Sequence, residues 1–119
     1  MLLMLLMILL FPAFALATTV TTTIATDAAA GTWTTAILPS LKSQSGFLNV
    51  SIYGATWEGT VRLQRSFDGG TTYYDVATWT ANSQDALIDK ETGVRYRIGM
   101  ANGDFTSGSV AVSLSDEGG

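Results

Sequence analysis

The chain has no cysteine and no histidine, and only 13% of its residues are charged. Without cysteine there is no disulfide and no thiolate chemistry. Without histidine the commonest general base and the commonest transition-metal ligand are gone. The net charge of −4 and a pI near 4.4 lack the basic footprint that non-specific nucleic-acid binding requires, so no nucleic acid is expected as a partner. The charged fraction lies well below the usual quarter. Solubility must therefore come from serine and threonine faces, or from a partner that covers the surface. What remains, 119 residues dominated by Thr, Ala, Gly and Ser, is enough for one domain. A domain of this size buries about two-thirds of its unfolded surface.

Residues 1–17, MLLMLLMILLFPAFALA, form an apolar leader interrupted by Pro12. Ala15-Leu16-Ala17 fits the small-x-small pattern of signal-peptidase sites, which would leave Thr18 as the new N-terminus. No side chain in residues 1–26 is charged, so the positive n-region of a signal peptide is missing. Four readings stay open: a cleaved export signal, translated sequence outside the folded domain, an arm that docks on a neighbouring subunit, and a retained membrane anchor. The run is shorter than the ~20 residues that cross a bilayer, so no membrane association is expected unless the leader is retained. The folded domain is expected over residues 18–119.

The clearest local signal is residues 59–76, GTVRLQRSFDGGTTYYDV. Two alternating stretches flank Asp68-Gly69-Gly70, where glycine supplies positive φ and aspartate bonds its own backbone, which is a β-hairpin pattern. Other strands are expected over 18–25, 32–38, 46–53, 86–89, 94–100 and 107–115, with loops over 41–45 and 54–59 and turns over 82–85 and 91–93. No segment keeps a helical period. Seven to eight short strands with one apolar face each predict a single antiparallel β-sandwich, jelly-roll-like in type.

Several pieces of the chain carry a resemblance. They are GFLNVSIYG (46–54), WEGTVRLQRSFDGG (57–70), YYDVATWTAN (73–82), GVRYRIG (93–99) and GDFTSGSVAVSLS (103–115). In order and spacing they resemble a family of small structural proteins of tailed phages and prophages. That resemblance implies a virion location, as a capsid decoration, head-fibre or spike-type subunit. It also implies other virion proteins and further copies of the chain as partners. The hydrophobic leader departs from that family. Locally, Ser66-Phe67-Asp68-Gly69-Gly70-Thr71-Thr72-Tyr73 is similar to the Asp-box of sialidase propellers, a turn that stabilises a hairpin away from catalysis. One copy in a chain of this length does not make a propeller.

Candidate site residues follow from strand parity. Arg62, Arg95 and Arg97 alternate with apolar residues and point away from the core. On neighbouring strands they would form a small basic stripe, either a docking surface for an acidic partner or a set of exposed ion pairs. Arg65 falls on the apolar face, which calls for a bulge or for a latch with a carboxylate such as Asp75. Tyr53 and Trp57 are the best candidates for exposed aromatics, as a glycan platform or a protein contact. Ser66, Asp68, Gly69 and Gly70 form the structural turn.

The ten carboxylates show no diagnostic glycosidase pair and no Asp-rich calcium loop. No catalytic residue, metal or cofactor is therefore expected. Asn49-Val50-Ser51 is a glycosylation sequon inside a strand, a poor acceptor site. The expected function is a virion auxiliary subunit acting by protein–protein adhesion. The alternative is an exported β-sandwich module, periplasmic or extracellular after leader cleavage, that binds carbohydrate or mediates adhesion.

Overall fold

A computed structural model describes residues 18–38, 47–88 and 93–116. The leader, the expected loop 41–45, most of the turn 91–93 and the end of the C-terminal tail lie outside the described residues.

Ten strands form among the described residues, and every pairing is antiparallel. They are β1 (Thr19–Ile24), β2 (Thr32–Trp33), β3 (Phe47–Tyr53), β4 (Trp57–Gly59), β5 (Val61–Ser66), β6 (Tyr74–Trp79), β7 (Ser83–Ile88), β8 (Arg95–Met100), β9 (Phe105–Gly108) and β10 (Val110–Asp116). One sheet has the order β1-β10-β3-β7, the other β2-β8-β5-β6, and β4 with β9 makes a two-stranded ribbon. The innermost hairpin is β5-β6. Outward from it, β3 pairs with β7, β2 with β8 and β1 with β10, the two sheets taking alternate pairs. That nesting is the jelly-roll form of an antiparallel β-sandwich.

The core lies between the two four-stranded sheets. Ile24, Leu48, Val50, Ile52, Val110, Val112 and Leu114 come from the first sheet. Val61, Leu63, Tyr96, Ile98 and Met100 come from the second, joined by the flanking Ile37 and Val94. Strict alternation places these side chains inward, and each large one contributes about 1.5–3 kcal/mol by leaving water.

The strands differ from the sequence expectation in four places, each with a local cause. The expected strand 107–115 divides at Gly108, whose φ of 86° turns the chain between β9 and β10. The expected loop 54–59 contains β4, which finds its partner in β9. The expected turn 82–85 is narrower, because Ser83, Gln84 and Asp85 already pair with Ile52, Ser51 and Val50. Strand 32–38 contracts to Thr32–Trp33 and an isolated bridge between Ile37 and Tyr96. Between them the Thr34 hydroxyl accepts the Ile98 N–H at 3.2 Å, replacing a carbonyl of the ladder.

Candidate functional site

The outer face of the β2-β8-β5-β6 sheet carries the densest polar arrangement. The β5-β8 register sets Arg62 opposite Gly99, Gln64 opposite Arg97, and Ser66 opposite Arg95. The three expected arginines thus share one outer face on neighbouring strands, but they are not a bare basic stripe. Arg62 donates from Nε and Nη2 to both oxygens of Asp104, at 2.6 and 3.0 Å, and from Nη1 to Asp75 at 2.8 Å. This bidentate, charge-assisted geometry holds the guanidinium charged, its pKa raised first by Asp104 and then by Asp75. Asp104 is held below the usual carboxylate range by the Arg62 bond, against the effect of its partial burial. It also accepts the Ala101 N–H at 2.9 Å, tying the turn before β9 to β5.

The chain of bonds continues across the face. Gln64 donates to Asp75 at 2.9 Å and accepts from Arg97 Nε and Nη2 at 3.1 and 2.9 Å. The Arg97 guanidinium lies between two rings, 4.0 Å from the Trp33 centroid and 3.8 Å from that of Tyr73. Burial under these rings lowers its pKa. Each stack contributes about 0.5–2 kcal/mol. Arg95 is exposed on the same face.

The expected Arg65–Asp75 latch does not form. A bulge between Leu63 and Gln64 leaves Val76 as an extra residue in β6 and brings Asp75 opposite Gln64, on the outer face. There Asp75 bonds Arg62 and Gln64. Arg65 faces Tyr96 and Tyr74 across the ladders, with its guanidinium 5.0 Å from the Phe67 ring centroid.

The turn forms as the sequence implies. Ser66 Oγ donates to Asp68 Oδ1 at 2.7 Å and accepts the Gly70 N–H at 2.8 Å. Asp68 Oδ1 also accepts the N–H groups of Thr71 and Thr72 at 3.1 and 2.8 Å. These donors, Thr72 first, hold the Asp68 carboxyl down at about 2. Gly69 and Gly70 take φ of 75° and 98°.

The two aromatic candidates part company. Tyr53, at the end of β3, is 66% exposed. Trp57 is not an open platform: it is half-buried against the core, and its indole N–H donates to Asn82 Oδ1 at 2.7 Å. Asn82 also accepts the Gly54 N–H at 3.0 Å and donates to the Gly54 carbonyl at 3.0 Å, clasping two loops together. At the open side of the sandwich, Trp79 donates its indole N–H to Asp85 at 2.6 Å. Sequence reading singled out none of Trp33, Gln64, Tyr73, Asn82 and Asp104 as site residues. Gln64 shares the parity of Arg62, and Tyr73 closes the Asp-box-like stretch, so those two carried a signal. The others depend on pairings distant in sequence.

The opposite outer face, on β1-β10-β3-β7, has a different chemistry. Its register sets Thr21, Ser113, Ser51 and Gln84 in one row, with Thr19, Ser115, Asn49 and Ala86 in the next. Thr23, Ala111, Tyr53 and Ile88 lie on the same face, and none of these side chains is charged. The Thr21 and Ser113 hydroxyls lie 3.0 Å apart, and Gln84 donates to Ser51 at 3.2 Å.

No family model and no curated protein sequence matches the chain. Among solved structures, the chain is similar to the crystal structure of the Yersinia pseudotuberculosis-derived mitogen (YPM). The identity is 18% and the TM-score 0.47, over 87% of this chain and 86% of that one.

No group of three or more Asp or Glu among the described residues is placed to hold a metal ion. No helix among them is long and apolar enough to cross a membrane. Asp68, Asp85 and Asp104 are each held ionised by their donors.

Proposed function

We propose that this chain is a structural auxiliary subunit of a tailed-phage virion, a capsid decoration or fibre-like protein that acts by protein–protein adhesion and not as an enzyme. The observation that carries the adhesion reading is that no described side chain on the outer face of the β1-β10-β3-β7 sheet is charged. Hydroxyls and amides of this kind exchange water for a partner's polar groups at small cost, while a buried charge would demand a matched one. Such a contact is weak singly. A symmetric shell repeats it many times, and avidity multiplies the affinity. The virion location is supported by the resemblance over residues 46–115. Partners on this reading are other virion proteins and further copies of the chain.

A second reading, an exported adhesion or carbohydrate-binding module, is favoured by the apolar leader and its Ala15-Leu16-Ala17 end. Tyr53 is then the exposed aromatic available to a sugar ring. Mass spectrometry of the native protein separates the two. Recovery in purified phage particles is the expected result. Recovery in the envelope or medium, with none in particles, would overturn the virion reading in favour of export.

A further inference from the structure

Strand β10 ends in a buried carboxylate. Alternation along β10 sends Val110, Val112 and Leu114 inward, and Asp116 follows them with 3% of its surface exposed. An acid at a core position is costly unless strong donors meet it. One donor is the backbone nitrogen of Thr18, 2.7 Å from Asp116 Oδ1. The Asp116 N–H returns a bond to the Thr18 carbonyl at 3.1 Å, so the two residues face each other at the end of the β1-β10 ladder. Thr18 is also the residue that directly follows Ala15-Leu16-Ala17. Two independent features, a protease-type sequence and a buried acid, thus converge on one nitrogen atom.

We infer that the Ala17–Thr18 peptide bond is a processing site, and that the new Thr18 α-ammonium docks on the Asp116 carboxylate. A signal-peptidase-type hydrolase adds one water across the bond. Ala17 leaves as a carboxylate carrying the water oxygen, and the Thr18 nitrogen gains both water protons and a positive charge. An amide hydrogen bond becomes an ion pair at the same place, with an N···O separation already in the range of charge-assisted bonds. Cleavage then fastens the first strand of the sandwich to the last. The inference takes its protease from the export reading and its geometry from Thr18 and Asp116 alone.

The test starts with the full chain expressed in a bacterium, where intact mass reads the N-terminus of the folded product. Thr18 as first residue is expected, and a product that keeps residues 1–17 or starts elsewhere overturns the proposal. An amine-acylating reagent near neutral pH then probes the Thr18 product. Acylation of the α-amine is expected at least about tenfold slower in the native protein than in urea, because a paired ammonium gives up its proton reluctantly. Asp116→Asn is expected to bring the native rate up toward the rate in urea. Equal rates in native protein and urea overturn the docked ammonium even where the cut is at Thr18, and this comparison needs no variant to fold. A Thr18 product found in virions and not in the envelope or medium supports the cut at Thr18 but removes the export protease as its source, and the comparison of native and urea rates then decides the ion pair.

Discussion

Asp68 Oδ1 draws the Ser66 hydroxyl and the N–H groups of Thr71 and Thr72 around a single oxygen. All of these bonds favour the ionised form, so the folded pKa of about 2 lies below the ordinary value of 3.8. A carboxylate depressed on folding contributes stability above its unfolded pKa and loses it as pH falls through the folded one. Asp68→Asn is therefore expected to lower the thermal midpoint near neutral pH. The gap to the parent protein should narrow steadily below about pH 4 and close near about pH 2. Melting curves of both proteins across that range check it, and a gap independent of pH would contradict it. Asn82 makes a second residue-scale case without charge. Its amide serves Gly54 N–H, Gly54 C=O and the Trp57 indole, so Asn82→Ala strands three groups at once. The expected cost is about 1–3 kcal/mol in urea unfolding, with a red shift in tryptophan emission as Trp57 loosens.

Strand β2 shows how an element only two residues long is held. Gly99 lies buried on β8, opposite Trp33. A Cβ there would collide with the Thr32 carbonyl oxygen and crowd Trp33 Cα at 2.8 Å. Glycine is required for the close approach, and the approach in turn sets Trp33 over Arg97. Gly99→Ala is expected to destabilise by about 1–3 kcal/mol. It should also free Trp33 to collisional quenchers in the still-folded protein. A well-folded Gly99→Ala with unchanged quenching would refute this account. The same element marks the limit of what the sequence discloses. The alternation of residues 46–53, 61–66 and 94–100 was legible because period two with one apolar face has one reading. The Ser66–Gly70 turn was legible because its chemistry is local. The length of β2, the β4-β9 ribbon and the stack on Arg97 were not, since each depends on a partner far along the chain. The Arg65–Asp75 pairing failed for a related reason: parity counts residues along one strand, and the extra residue Val76 in the other reversed the outcome.

At the scale of the molecule the two outer faces divide the chemistry between them. One holds Arg62 and Arg97 already engaged by Asp104, Asp75, Gln64, Trp33 and Tyr73; the other holds no charge among the described residues. A partner that docked on the arginine face would compete with internal bonds and would dissociate as salt rose. Docking on the uncharged face should be nearly insensitive to salt between about 0.05 and 0.5 M, because exposed charges are what counterions screen. Ser113 lies inside that face, flanked by Thr21 and Ser51. Ser113→Arg should change folding stability by no more than about 0.5 kcal/mol, as an outward-facing substitution. It should weaken association more than about tenfold, since the contact would then have to bury an unmatched guanidinium. Arg95→Ala, exposed at the start of β8 on the other face, serves as the comparison and should leave association unchanged. Co-sedimentation with purified particles, or sedimentation equilibrium of the chain alone, measures both variants across the same salt range. Loss of binding with Arg95→Ala, together with a steep fall in salt, would move the adhesive surface to the arginine face. The charge-free sheet would then be a solvated wall, kept soluble by its hydroxyls, and not the contact.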